Sequence, residues 1–437
     1  MNQQPDKLIR IRPIDPVLIR DGRPFDMTPG ETARTHKDIL PGVLAGAIRT
    51  MLVKQTATSD SRSDIFAAEQ SKLIRQMEVR GPFYVRDDQI FFPTPKDMYC
   101  WSHVDGVRLK ALRPVPPNMP ISEHGFLGTG NYSAYDEQLW PVDVPPYEKE
   151  WSRAPAYWSE ERMLDWLLDR RIDQIEAELG QWEKLLQKWT EEEKTPLEKW
   201  TEAKRILPHY LAPFEVEERT STAIDTQTGK AKEQKLFSTE MLVLPPDVSV
   251  IAALKVDQTI RLPDKLSAIH SMGGERRLSH FSDAGDFSIL RGPGQVEQAL
   301  RGKKYVRMVL ATPAYFAKGW KPGWLNEQLE TSEKWPYPVK LRLRWACIPG
   351  YLPVSGWRYT QKGEGLEKAV RRMVQAGSVY FFEVVDGDPA ELVKNAWLAS
   401  VSDVARRKGS FDHEDGFGLA MWGVWNPEDA ISCGGAQ

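Results

Sequence analysis

Four places in the chain bring together residue types that bind anions or stack on bases. SMGGERRLS (Ser271–Ser279) sets Gly273 and Gly274 just before Arg276 and Arg277. Glycine lets backbone N–H groups approach an anion, and guanidinium groups then bind phosphate as a fork. TPAYFAKGWKPGW (Thr312–Trp324) interleaves Lys318 and Lys321 with Phe316, Trp320 and Trp324 around glycines. That mixture suits a single nucleic-acid strand, with bases on rings and phosphates on cations. Its plainer reading is aromatic core, and at least one of the rings is expected there. Arg20, Arg23 and Arg49 lie on a loop and a helix after the first strand candidate. They either clamp phosphate or pair with Asp15, Asp21 and Asp26. Gly416, Phe417 and Gly418, in GFGLAMWGVW, form a glycine-rich turn that feeds an apolar strand. It lacks GxGxxG spacing and opens no helix, so it suits phosphate or close backbone contact rather than a dinucleotide.

Catalytic groupings are sparse. His36, beside Lys37 and Asp38, reads either as a general acid or base or, more commonly for a lone histidine in a polar loop, as merely exposed. Asp87-Asp88 and Asp386/Asp388 read as turn acids. The three cysteines lie far apart and the seven histidines are scattered, with no HExxH, P-loop or EF-hand pattern. No metal or cofactor is expected.

The elements that must position these groups are those of a globular chain of 437 residues, 41% hydrophobic and 27% charged. That composition excludes a mainly disordered protein. No apolar run approaches the roughly 20 residues of a spanning helix, and the first residues hold no apolar stretch of signal-peptide length. A cytoplasmic protein is expected. The net charge of −3 argues against indiscriminate nucleic-acid binding. Its distribution is uneven: His270–Arg372 holds 18 Lys/Arg against 9 Asp/Glu, whereas Trp151–Lys204 holds 9 against 13. One basic segment can carry a polyanion site within a near-neutral protein.

Leu8–Ile19 alternates like a strand, Asp38–Gln55 reads as a helix starting near Pro41, and Met77–Pro95 gives two strands around Asp87-Asp88. Glu160–Trp189 reads as one long helix with a seam of Leu168, Ile172, Ile175, Leu179, Trp182, Leu186 and Trp189. Thr195-Pro196 with Glu198 starts a second helix that runs to about Ile206. Six tryptophans in Trp151–Trp200 leave room for a docking role, although a packed insertion is the favoured reading. Beyond Phe214 the strand candidates are Leu236–Leu244, Val248–Leu254, Tyr305–Thr312, Lys340–Ile348, Ser378–Val385 and Leu419–Trp425, with a helix near Ala390–Leu398. Glu218–Gln234 is a polar hairpin turning at Gln227-Thr228-Gly229. The expected division is 1–150, a helical hairpin at 151–213, and 214–437.

PIDPVLIRDGRPF, LPGVLAGAIRTML, GPFYVRDDQIFFPTPKDM, ERTSTAIDTQTGKAKEQKLFSTEML, MGGERR, TPAYFAKGW, AGSVYFFE and GFGLAMWGVW occur in that order. Together, from Pro13 to Trp425, they resemble the third subunit of the Cmr complex, the type III-B CRISPR RNA-targeting effector of antiviral defense. That family is Cas-five-like and belongs to the RAMP superfamily. The resemblance implies an α+β fold of two ferredoxin-like, RRM-related units with long loop insertions, and no nuclease activity. It implies a subunit that binds the repeat-derived 5′ tag of the guide RNA (crRNA) and touches the large polymerase-like subunit and the backbone RAMP subunit. The implied RNA-binding residues are Arg20, Arg23, Arg49, Gly273, Gly274, Arg276, Arg277, Lys318, Trp320, Gly416, Phe417 and Gly418. The polar hairpin would reach the RNA or a neighbouring subunit. The helical hairpin looks particular to a subset of the family, and Gln375 stands where the family often has proline. The rival reading is a metal-independent endoribonuclease of the same superfamily that cuts precursor guide RNA, with His36 and Gly416–Gly418 at its centre.

Overall fold

The computed structural model describes residues 7–21, 32–56, 72–74, 77–116, 139–140, 142, 149–256, 259–260, 262–359, 365–403 and 415–427. In β1 (Lys7–Pro13), Ile9 and Ile11 alternate into the core. The two-residue β2 (Thr32–Ala33) precedes α1 (Pro41–Thr56), which begins at the proline expected to start it. Leu44, Ala45, Ile48, Met51 and Leu52 bury one side of α1. Next come β3 (Glu78–Arg86) and β4 (Gln89–Pro93). They turn on Asp87 and Asp88, both at positive φ, the pattern of a I′ hairpin. The ribbon of β5 (Met98–His103) and β6 (Gly106–Ala111) stands apart.

The helical insertion runs from β7 (Tyr157–Ser159) through α2 (Glu160–Leu167), α3 (Ile172–Glu191) and α4 (Pro196–Ile206) to β8 (Tyr210–Leu211). The single helix expected over Glu160–Trp189 is broken at 168–171, where Asp169 and Arg171 take positive φ. Ion pairs hold the break: Arg162 reaches Glu178 on α3 at 2.7 Å, and Arg170 reaches Asp165 at 2.8 Å. Period alone does not register such a charge-fixed corner. Ile175, Leu179, Trp182 and Leu185 bury the seam of α3. Thr195 and Glu198 form the capping box of α4 as the sequence indicates.

The chain continues with β9 (Glu215–Ile224), β10 (Ala231–Val243), β11 (Val248–Lys255), β12 (Ser267–Ser271) and β13 (Leu278–Asp283). After α5 (Gly294–Leu300) and β14 (Tyr305–Leu310) come β15 (Lys340–Cys347), β16 (Tyr351–Tyr359), β17 (Gly365–Val374) and β18 (Val379–Asp386). The last elements are α6 (Ala390–Ala396), β19 (Ala399–Ser400) and β20 (Leu419–Val424).

Two larger sheets dominate this mixed α/β fold. The first has the order β12-β13-β1-β11-β3-β4-β7-β8, the second β15-β18-β14-β20-β19. In the first, β1 and β3 flank β11, which is antiparallel to both, and α1 lies on the chain between them. The second repeats the pattern, with β14 between β18 and β20 and β15 outside β18. There the helix is α6, between β18 and β20.

The division expected at residue 214 is corrected by this topology. β11, β12 and β13 lie beyond it in the chain yet complete the first sheet. Val248–Leu254 is buried throughout, as a central strand covered on both faces must be.

The loop between β4 and β5 and helix α2 are tied to β14 of the second sheet inside the molecule. Asp97 and Arg307 are fully buried and meet at 2.8 Å, and the Trp166 indole N–H donates to the other Asp97 oxygen at 2.8 Å. Burial pushes the Asp97 carboxyl up, and the Arg307 charge opposes that. Such a pair adds little net stability but fixes one arrangement, because a lone buried charge is far costlier.

Candidate nucleic-acid interface

The segment after β1 leaves the first sheet and pairs with what lies beside it. Val17 bridges Leu242 of β10, Leu18 bridges Gly274, and Arg20 bridges Thr35. The Gly274 N–H donates to the Leu18 carbonyl at 2.8 Å. At Gly273 φ is +78°, and a Cβ there would stand 2.5 Å from that same carbonyl. The glycines therefore serve backbone-on-backbone contact, and the Gly274 amide is already used. This corrects the expectation for these glycines at Gly274, whose amide is not open to an anion. Their effect is to bring the following turn beside Arg20, two residues along from Leu18.

That turn is strained. Glu275 and Arg276 both have positive φ, +56° and +51°, where hairpins favour Asn-Gly. Left-handed backbone costs an ordinary residue about 1–2 kcal/mol. The Met272 N–H to Arg277 carbonyl bond of 2.8 Å closes the loop. Arg276 projects into solvent with no ion-pair partner among the described residues. Arg277 is half-buried near Glu217.

The acids of this face are largely spoken for. Asp15 accepts the Leu278 N–H at 3.0 Å, and Glu240 accepts the Thr35 N–H at 3.1 Å. Glu217 is held below the usual carboxylate range chiefly by its hydrogen bond from Arg219. Arg12 and Arg34, neither singled out by the sequence, are exposed here without ion-pair partners among the described residues. Arg12 lies in register with His280 of β13, and the Arg34 carbonyl accepts the Asp21 N–H. Alternation along β1 points Arg12 away from the buried Ile11 and is the signal that marks it. Nothing local marks Arg34. The face presents Arg12, Arg20, Arg34 and Arg276 outward, with Glu275 exposed beside Arg276, while Asp15, Glu240 and Glu217 bind backbone and Arg219. This is the electrostatic footprint of an anion site.

Gly416, Phe417 and Gly418 lie elsewhere and inside, which corrects their placing as surface RNA contacts. A Cβ on Gly416, at φ +84°, would be 2.6 Å from the Gly81 carbonyl. One on Gly418 would be 2.3 Å from the Ser402 hydroxyl. The Gly416 carbonyl accepts the Thr312 hydroxyl at 2.7 Å, and the Gly418 N–H donates to Pro313 at 2.8 Å. The Phe417 ring is buried against Gly42 of α1. The loop is a joint between the first sheet with α1 and the start of the 311–339 connection. Arg49 belongs to the same joint and is corrected likewise. It is buried, 2.6 Å from Asp415, and donates to the Met77 carbonyl at 2.7 and 3.2 Å. Its charge balances an internal aspartate.

Lys318 and Trp320 are exposed on the second half. Lys318 pairs with Glu327 at 3.1 Å, and the Trp320 carbonyl accepts the Tyr380 hydroxyl at 2.7 Å. Phe316 and Trp324 are core, as the plainer reading allowed, and Lys321 is buried with its ammonium on the Asn326 carbonyl. Arg20 and the 272–277 turn are thus united on the first sheet's side, while Lys318 and Trp320 sit on the 311–339 connection. Arg23 falls outside the described residues.

His36 is buried, its N–H donates to Ile19, and its Nε2 has no partner among the described residues. Burial lowers its pKa, against a raising influence from Asp21. Among the described residues no three His, Cys, Asp or Glu side chains form a metal-holding group, and no helix is long and apolar enough to cross a membrane.

A family model described as CRISPR-associated protein (Cas_Cmr3) matches residues 9–425. No curated protein matches. Among solved structures, the chain is similar to one from type III-B Cmr-beta bound to cognate target RNA and AMPPnP, with a TM-score of 0.41, 11% identity and 86% of each chain covered. Another, from Cmr-beta bound to cognate target RNA, gives 0.40, 12% and again 86% of each. A third, from the Csm3–Csm4 subcomplex of a type III-A interference complex, gives 0.33 and 11%, over 87% of this chain and 94% of that one.

Proposed function

This chain belongs to the Cas_Cmr3 family of CRISPR-associated proteins, and from that premise we propose that it is a non-catalytic RNA-binding subunit of a type III-B effector. It holds the repeat-derived 5′ tag of the guide RNA and bridges the large polymerase-like subunit to the backbone RAMP subunit. The strand orders β13-β1-β11-β3 and β20-β14-β18-β15 support reading both halves as ferredoxin-like units. The observation that carries the RNA reading is the cationic face at the Gly274–Leu18 bridge. Asp15, Glu240 and Glu217 are engaged with backbone and Arg219, while Arg12, Arg20, Arg34 and Arg276 face outward. Phosphate contacts of this kind fix position and register, and the guide's own pairing reads the target.

The nuclease reading needs a histidine presented to RNA. His36 is 7% exposed beneath the Arg20–Thr35 bridge, which favours the binding role. The test uses the intact chain and tag RNA. Arg276→Glu with Arg277→Glu is expected to weaken binding about ten- to a hundred-fold, with an unchanged melting curve. Unchanged affinity removes this face as the tag site. Site-specific cleavage of repeat RNA in EDTA, lost in His36→Ala, would overturn the non-catalytic assignment.

A further inference from the structure

β16 and β17 form a two-stranded ribbon of their own, joined to the body by the Ala314–Val374 bridge. Cross-strand register sorts its residues by face. Val354 and Met373 are buried on the side that packs onto the core of the first sheet, with Leu352 beside them. Tyr351, Pro353 and Arg372 share the opposite, outer face, and all three are exposed. Val374, opposite Tyr351 on this same face, is buried where the ribbon joins the body, and the face opens to solvent beyond it at Tyr351, Pro353 and Arg372. Arg371, on the inner side, lies 5.2 Å over the Tyr315 ring, and the Tyr315 N–H donates to the Ser402 hydroxyl.

The outer face holds one specific arrangement. The Arg372 guanidinium lies 5.1 Å over the Tyr351 ring, which is still 59% exposed. Among the described residues Arg372 has no ion-pair partner. The two strands carry Arg358, Lys368, Arg371 and Arg372 against Glu367 alone. A protein partner would ask for a broader apolar centre than one tyrosine, one proline and Val370. An exposed ring beside a forked cation, on a strongly basic ribbon, matches an unpaired nucleotide: base on ring, phosphate on guanidinium.

We propose that the outer face of the β16–β17 ribbon is a second contact for single-stranded RNA, with Tyr351 stacking a base and Arg372 binding the adjoining phosphate. It is separate from the 272–277 turn and shares with the tag reading only the class of ligand. The base must be unpaired, because a paired base offers no face to a side chain on a ribbon edge.

The experiment measures fluorescence anisotropy of the full chain with an oligouridylate of about ten nucleotides, and with its duplex. Tyr351→Ala and Arg372→Glu are each expected to weaken single-strand binding about tenfold, and Tyr351→Phe to keep it. Arg372→Ala is expected to lower the salt slope of binding by about 0.7. A 4-thiouridine crosslink at Tyr351 is expected to survive Arg276→Glu with Arg277→Glu. Unchanged affinity in Tyr351→Ala and Arg372→Glu, or equal losses on the duplex, overturns the ribbon site. So does loss of a protein subunit's binding in place of RNA binding. Normal tag binding by the Arg276/Arg277 variant strikes the tag reading alone and leaves the ribbon standing.

Discussion

Two glycine-rich turns look alike as sequence and do opposite things. Around Gly273 and Gly274 the backbone presses onto Leu18, and of the two arginines that follow Arg276 turns outward while Arg277 stays half-buried. Around Gly416 and Gly418 the backbone presses onto Gly81 and Ser402 in the interior, and the neighbouring cation, Arg49, faces inward onto Asp415. In both, absence of Cβ permits contact with another backbone segment. A glycine pair beside cations therefore reports close approach. What is approached depends on whether the flanking acids are used internally or left to neutralise those cations.

The sharpest way to break this contrast is at Arg49. Arg49→Ala leaves Asp415 buried and unpaired and is expected to cost about 3–5 kcal/mol in chemical denaturation. Full stability with lost RNA affinity would make Arg49 an RNA contact after all. Gly416→Ala follows, since a left-handed backbone and a contact on the Gly81 carbonyl would lower stability by about 2–4 kcal/mol. At the outer turn the signs part. Glu275→Asn with Arg276→Gly relieves the strained I′ pair and is expected to gain about 1–2 kcal/mol, while tag affinity falls. A gain in both would separate the strain from binding. The smallest effect is at His36. Burial holds its folded pKa below the ordinary 6.5, so the unfolded chain takes up a proton first as pH drops. Stability present above 6.5 is then lost as pH falls through that value toward the folded pKa. A pH series of melts is expected to lose this component in His36→Leu, and an identical slope in both proteins counts against it.

Local chemistry made much of this fold readable. Pro41 starts α1, Thr195 and Glu198 cap α4, Asp87-Asp88 turn a hairpin, and the strands at 305, 340, 379 and 419 begin within a residue of where alternation placed them. Each is decided by neighbours in sequence. What escaped was decided by residues far away. Val248–Leu254 reads as a strand, yet nothing in it says that its partners are about 160 to 250 positions earlier. Arg49 reads as a surface cation because its aspartate is 366 residues distant. The outward turn at Arg276 is legible as a basic element, whereas Arg12 is marked only by the alternation of β1 and Arg34 reaches the face through its backbone bond with Asp21. The β16–β17 ribbon carries little signal in sequence because its alternation is weak around Pro353 and Gly356, where the register slips.

The placement of β11 between β1 and β3 also bears on how the molecule is made. During translation β1, α1 and β3 leave the ribosome long before their shared central strand, and the helical insertion emerges in the interval. The insertion closes through contacts near in sequence, so it can assemble early. The first sheet stays an open pair of strand edges until Val248–Lys255 arrives, and its outer flank waits for Leu278–Asp283. The surface assigned to the guide RNA is thus among the last parts of the first half to exist, completed only when the newest strand closes upon the oldest.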